Sequence, residues 1–559
     1  MPSSRNQAVA GTGAEVPGPG RRAMMPFHAI LAIASAIAAA FAISFTWQPG
    51  LASLYDDSVS YLIMAQAFSP FHPLDPAIAA ALPHEKYPPL FPLLLALSGG
   101  AYDWRVAHAL VASSFAASVY LLGMHARGIT GSGRIGIAAA IVYAMMPGSW
   151  LNVKGILSEF PYMALVFGAL VACERQRGKP ATAGGGALLG ALLAAVLLTR
   201  TIGVALVLAV AVAEGARFIG TREIARLRML AWTLGIPFGA AALWYGLRPS
   251  SGEDIYVAGG VGLAAGVAAN GFPWLVSLLL SNASAIGDAW FNALLIFWGE
   301  PWKPGFLLAC GIGATGLLAT FWRARLGEVD GIYCVIFLAI LLAWPYPGQM
   351  YRLAFPIVPL VMANAFWAAW RLVSRSRGTA TAERWTSWSA ALPLALCVPP
   401  VLFFIAERAN SQVGTGEAGR NADIAEFYRI PDRAGAETNS QLQNGVFADM
   451  ARLRESTPGD ARIMGYMPNY VALLARRHGV PLDRPADRRQ LVEQVRKLQP
   501  DYIYLANVHP RDSANRLGNP LDAYMLARPF THLVWHRGNS KDEIHAILLA
   551  VDKKNLENQ

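Results

Sequence analysis

The sequence predicts an α-helical polytopic membrane protein with about eleven transmembrane helices, followed by a soluble C-terminal α/β domain. Three observations predict it. Hydrophobic residues make up 54% of the 559-residue chain and charged residues only 15%, where a soluble protein carries about 25% charged. Mean hydropathy is +0.36, and the apolar residues fall in uninterrupted blocks near the roughly 20 residues that a helix needs to cross hydrocarbon. The Lys and Arg residues stand in short clusters between those blocks, as the positive-inside rule requires, so the formal charge of +10 marks topology and argues against a nucleic-acid partner.

Residues 1–25, rich in Gly, Ala, Pro and Ser and ending near Arg21-Arg22, read as a disordered cytoplasmic tail. The apolar run at about 26–47 is long for a signal peptide and many apolar blocks follow it, so it reads as an uncleaved first span. A large outer loop, 48–103, comes next; its two apolar stretches, 57–68 and 88–99, are too short to cross and are expected to lie in the interface as amphipathic helices. Further spans follow at about 104–125, 134–150, 158–173, 183–198, 201–216 and 229–247. A Gly- and Ala-rich outer loop is expected from 248 to about 300, then spans at 303–321, 331–344, 353–370 and 385–405. With the tail inside, the clusters Glu174 to Lys179, Arg217 to Arg228, Arg323 to Arg325 and Arg371 to Arg384 all fall on the cytoplasmic side. The transmembrane unit therefore covers 26–405, and 406–559 reads as a soluble periplasmic domain with strands at 461–466, 501–505, 532–535 and 544–549 and a helix near 486–498. Four cysteines, all in apolar segments, lack the spacing of a metal or redox site. The triplet Asn282-Ala-Ser284 faces outward in this topology.

The chemistry-bearing residues gather at the outer boundary. Asp56-Asp57 open the first loop, with Tyr61 one helical turn on, where desolvation tunes a carboxylate toward general-base work; a helix N-cap is the structural alternative. His84, Lys86 and Tyr87 precede Pro88-Pro89 and suit phosphate near the interface, or a simple turn with a snorkelling lysine. Glu159 stands near membrane depth behind Ser158, a functional candidate by its cost there, or a charge matched to a helix N-terminus. Arg200 and Tyr351-Arg352 sit at outer-side junctions, where positive-inside statistics disfavour arginine and its planar fork fits phosphate; salt bridges to Glu159 or Asp57 would equally account for them. Together these are the inventory needed to activate an acceptor hydroxyl and stabilise a phosphate leaving group.

The pattern Asp57-Ser58-x-x-Tyr61-Leu62-x-x-Ala65, Tyr87-Pro88-Pro89-Leu90-Phe91-Pro92-Leu93, Ser158-Glu159-x-Pro161, Leu198-Thr199-Arg200 and Tyr351-Arg352 resembles the GT-C superfamily of membrane glycosyltransferases over residues 26–370. It is most similar to the bacterial members akin to protein O-mannosyltransferases and the lipid A aminoarabinose transferase, the family 39-like group. The resemblance implies inverting transfer of a sugar from a polyprenyl-phosphate donor to a lipid, glycan or protein acceptor on the outer face of the inner (plasma) membrane. By the same carry-over Asp57 is the base and Glu159 a second, positioning carboxylate, while Lys86, Arg200 and Arg352 face the donor phosphate with Tyr87 and Tyr351 beside them. Tyr61 and His84 belong to the substrate loop. Many relatives carry Asp-Glu where this chain has Asp56-Asp57, which leaves open which aspartate acts, and aminoarabinose transferases have Lys where Tyr87 precedes Pro-Pro. No resident cofactor or metal is expected; a divalent ion on Asp56, Asp57 and Glu159 is possible but not demanded by any ligand spacing. The rival expectation is a transporter or flippase of lipid-linked saccharides, which would show paired interrupted helices and internal repeats.

Overall fold

The computed structural model describes residues 24–46, 56–82, 87–247, 255–295, 303–345, 350–413, 433–483, 485, 487–507, 520–540 and 543–557; most of the tail expected at 1–25 lies outside them. The first part is a helical bundle: α1 (Met24–Thr46), α2 (Asp56–Phe68), α3 (Pro76–Ala81), α4 (Leu90–Ser98), α5 (Trp104–Thr130), α6 (Gly133–Ala144), α7 (Pro147–Val153), α8 (Glu159–Gln176), α9 (Ala183–Thr199), α10 (Val204–Thr221), α11 (Ile224–Leu247), α12 (Ile255–Leu294), α13 (Lys303–Arg325), α14 (Val329–Leu342), α15 (Met350–Leu353), α16 (Val358–Arg377), α17 (Thr379–Ser389) and α18 (Ala391–Val413).

A helix stands at each segment expected to span. By length and apolarity, eight helical segments of the described residues are able to cross a membrane, or nine if α6 and α7, bent by 56°, form one span. The α9 and α14 helices are shorter apolar helices. One of the eight, Gly260–Leu294, occupies the segment expected to be an outer loop, a correction to the sequence reading. Its Gly and Ala residues looked like loop punctuation, yet small residues are common in membrane helices, and the chain breaks helical geometry only at Gly271, where φ is 73°.

Small residues also set a close helix contact. Gly186 and Gly190, one turn apart on α9, meet the backbone of α11: a Cβ on either would lie 2.4 Å from Met229 O or 2.6 Å from Trp232 O. This small-xxx-small approach lets dispersion substitute for the hydrophobic driving force that lipid removes. It fixes α9, and thereby Arg200 at its C-terminal end.

The first of the two short helices differs from expectation. The α2 helix is not amphipathic: Val59 to Ala65 are all buried, at 6% exposure or less, between α4 on one side and the C-terminal domain on the other. Its short apolar length suggested an interfacial site, but the domain beyond residue 413 supplies the second wall.

That domain is a five-stranded sheet of order β2-β1-β3-β5-β4, comprising β1 (Arg462–Gly465), β2 (His478–Pro481), β3 (Tyr502–Ala506), β4 (Thr531–Ser540) and β5 (Glu543–Val551). The first three strands pair in parallel and the last two add antiparallel. Period-2 alternation sends Met464, Ile503, Leu505, Ile547 and Leu549 to one face with α20 (Arg488–Leu498). Ile463, Tyr504 and Leu548 go to the other, in one core with Val446, Met450 and Leu453 of α19 (Arg433–Ser456). Four strands fall at the segments read from the sequence; β2 is too short and too polar for the alternation to show.

Candidate active site

The site forms where α2, the N-terminus of α8, the C-terminus of α9, and α15 converge. Asp57, near the start of α2, does not cap its helix: Tyr87 donates its hydroxyl to Asp57 Oδ1 at 2.5 Å, and Arg352 donates Nη2–H to Oδ2. Burial alone raises the Asp57 carboxyl, but the Arg352 charge, the Tyr87 hydrogen bond and Arg200 outweigh it and hold it below the ordinary carboxylate range. Burial and the Asp57 charge push the Tyr87 phenol well up, so it remains a donor.

Glu159 is fully buried at the first turn of α8. Its Oε1 forms ion pairs at 2.7 Å with both Arg200 Nη1 and Arg352 Nε, and neither carboxylate oxygen makes a well-aligned hydrogen bond among the described residues. Arg352 therefore bridges the two carboxylates. Ser158 also leaves its helix uncapped: its hydroxyl bonds Tyr61 OH at 2.7 Å and accepts from Arg200 Nη1 at 3.3 Å. Tyr61 stands one turn after Asp57 on the same face of α2, and its ring packs 4.9 Å from that of Tyr87 and 5.0 Å from that of Phe91. Two carboxylates and two guanidiniums thus make an electrically balanced quartet, Glu159 buried and the other three partly buried, framed by two tyrosines. A partner removed from such a set leaves an uncompensated charge.

Asp57, Tyr61, Tyr87, Arg200 and Arg352 line a cavity of about 320 Å³, with apolar walls from Ile340, Leu341 and Leu353. Tyr351 is half-buried against the core and is not among the cavity-lining residues. The side chain of Asp56, and His84 and Lys86 entirely, lie outside the described residues. Two lining residues that sequence reasoning missed are Tyr245, near the end of α11, and Trp344, just beyond α14. Aromatic residues at span ends read as interfacial anchors, which hid them. Asn282 on α12 donates to the carbonyls of Leu342 and Trp344, 2.7 Å each, and so holds the end of α14 that carries Trp344. Asn282 is fully buried, because the orphan carbonyls of a helix end recruit it. No group of three or more His, Cys, Asp and Glu side chains able to hold a metal ion occurs among the described residues; Asp57 and Glu159 spend their charge on Arg352 instead.

No family model matches the chain, and no curated protein matches it in sequence. Solved structures do. The archaeal oligosaccharyltransferase AglB from Archaeoglobus fulgidus, in complex with an inhibitory peptide and a dolichol-phosphate, superposes with a TM-score of 0.52 at 14% identity, over 92% of this chain and 73% of that one. ArnT from Cupriavidus metallidurans superposes in its apo state with a TM-score of 0.50 at 14% identity, over 94% of this chain and 98% of that one. The undecaprenyl phosphate-bound form of ArnT gives a TM-score of 0.50 at 12% identity, over the same shares. The chain shares the fold of these solved structures. The short helices α2 to α4, the charged quartet and the C-terminal α/β domain adjoin one another on the helical bundle.

Proposed function

We propose that the chain is an inverting glycosyltransferase that moves a sugar from a polyprenyl phosphate to an acceptor hydroxyl at the extracytoplasmic face of the inner membrane. The observation that carries the reading is the bridge from Arg352 to both Asp57 and Glu159 at the wall of the 320 Å³ cavity. In this reading 26–405 is the catalytic membrane unit and 406–559 the periplasmic domain. Sidedness is supported by α8 and α9, which carry Glu159 and Arg200 at one end and the basic stretch Arg175 to Lys179 at or beside the other.

The donor is a phosphodiester with one negative charge, and the quartet without it is neutral. When its phosphate enters, it competes with Asp57 for the Arg352 fork, a fit suited to phosphate oxygens. Released from its counter-cation, Asp57 regains basicity and takes the proton of the acceptor hydroxyl as that oxygen bonds the anomeric carbon. The bond from that carbon to the phosphate oxygen breaks, and the leaving polyprenyl phosphate gains a second negative charge, which Arg200 and Arg352 stabilise. By the resemblance, Lys86 adds a third cation for the donor phosphate, with His84 and Tyr351 as further donor-side residues; Glu159 keeps both arginines aimed. Attack opposite the leaving group inverts the anomeric centre. Asp57, second in α2 and bonded to Tyr87, acts as the base in preference to Asp56.

A radiolabelled-sugar transfer assay on the purified chain, with polyprenyl-phosphate-linked donors and membrane extract as acceptor source, tests this. Wild type should transfer label, and Asp57→Asn should lose about 10²–10⁴-fold of the rate, the usual worth of a positioned base, with expression retained and only a small drop in melting temperature. Movement of intact donor across vesicles without cleavage would instead establish the flippase reading, and full transfer by Asp57→Asn would remove the base assignment.

A further inference from the structure

A second, larger cavity of about 1220 Å³ opens between α5, α8, α9, α10 and α11. It lies at the opposite ends of the helices from the charged quartet. Glu159 begins α8 and Arg200 caps the end of α9, whereas Arg175 near the end of α8 and Thr182 at the start of α9 line this cavity. The 17 residues of α9 rise about 25 Å at 1.5 Å each, close to the thickness of the hydrocarbon core. The two cavities therefore occupy opposite membrane boundaries.

Its lining is chemically divided. The rim carries Arg175, Arg177, Lys179, Arg217 and Arg226 against two carboxylates, Glu214 and Glu223. Glu214 is already shared by Arg217 and by Arg226 at 3.2 Å, and Arg177 is paired with Glu328. Arg175 and Lys179 have no carboxylate within ion-pair distance among the described residues. The deeper wall is apolar, made by Leu121, Met124, Leu188 and Leu192, and Leu188 is 59% exposed, toward the space that lipid fills. The volume exceeds the roughly 300–1,000 Å³ typical of small-molecule pockets.

We propose that this cavity is a binding site for an acidic phospholipid of the inner leaflet, the phosphate head group on Arg175 and Lys179 and the acyl chain along Leu121, Met124, Leu188 and Leu192. An excess of unpaired cation above an apolar wall, opening between helix ends, complements one ligand shape: an anion attached to a hydrocarbon tail. The site is independent of the sugar-transfer reading and uses none of its residues.

Native mass spectrometry of the detergent-solubilised full chain tests it, with phosphatidylglycerol and phosphatidylcholine of identical acyl chains as probes. Phosphatidylglycerol adducts should outcompete phosphatidylcholine, and the double variant Arg175→Ala/Lys179→Ala should weaken phosphatidylglycerol binding by about 30-fold, at about a factor of five per cation. The charge-preserving double variant Arg175→Lys/Lys179→Arg should keep the preference, which separates loss of the site from misfolding. Equal adducts for the two lipids, or an unchanged preference in Arg175→Ala/Lys179→Ala, would overturn the proposal. So would inorganic phosphate displacing the lipid at millimolar concentration, since that would mark a plain anion site.

Discussion

Arg352 and Asp57 are 295 residues apart in the chain, yet the guanidinium of one is the counter-ion of the other. The same fork reaches Glu159 at 2.7 Å, so a single side chain couples the proposed base to the buried carboxylate behind it. The pairing depresses the Asp57 carboxyl below its ordinary value. A group depressed in this way contributes stability above its unfolded pKa, about 3.9, and that contribution fades only as pH falls through the lower native value.

This gives a pH prediction. For the wild type, the acidic limb of kcat/KM, which reports the free enzyme, should fall below the ordinary carboxylate range. The acidic limb of kcat should lie higher, because the donor phosphate draws Arg352 away from Asp57. In Arg352→Gln the counter-cation is gone while burial persists, so the kcat/KM limb should move to higher pH. Superimposable limbs in the two proteins would show that Arg352 does not tune Asp57.

Tyr87→Phe removes one hydrogen bond, the 2.5 Å donation to Asp57, and little volume. A hydrogen bond to a charged group is worth about 1.5–3 kcal/mol, so transfer should drop about 10- to 100-fold with no loss of expression. Steady-state kinetics on the purified variant decide it; an unchanged rate would mean that Asp57 needs no partner on that side.

Glu159→Gln should behave unlike Asp57→Asn. Glu159 is fully buried and faces two arginines, of which only Arg352 has Asp57 as a second partner, so neutralising it strands Arg200, which costs about 3–5 kcal/mol when a buried pair is broken. Thermal unfolding of the detergent-solubilised variants should show a clear drop for Glu159→Gln and a small one for Asp57→Asn. Equal melting temperatures would contradict the positioning role.

The C-terminal domain is tied to the outer loop by Arg476, which donates to Gln66 Oε1 at 2.7 Å and lies 3.6 Å from Asp75. Asn469 adds a 3.4 Å contact to Ser60. Because Gln66 and Ser60 sit on the helix that carries Asp57, Arg476→Ala should lower transfer by up to about tenfold, a single charge-assisted bond, without touching the cavity. Limited proteolysis should cut the 48–103 loop faster in this variant; identical cleavage and activity would show that the domain does not brace the loop.

Much of this was legible before any coordinates. Block hydropathy located the helices, because lipid rewards long apolar runs whatever their neighbours are, and the misplaced arginines at 200 and 352 pointed to a site, because a cation on the disfavoured face needs a reason. The reading failed where neighbours decide. The α2 helix became buried because a distant domain covers it, and the Gly-rich stretch at 255–294 is helical because small residues that punctuate loops in water are common in membrane helices.

The sequence by itself determined the membrane class, the composition break before the α/β domain and the residue types that gather at one boundary, since each follows from local polarity and spacing. Only the tertiary structure decided that Arg352 spans Asp57 and Glu159, that Ser158 serves Tyr61 and Arg200 and leaves its own helix uncapped, and that Tyr245 and Trp344 wall the cavity. Those are contacts between residues far apart in the chain, set by how helices pack, and no local pattern encodes a packing partner.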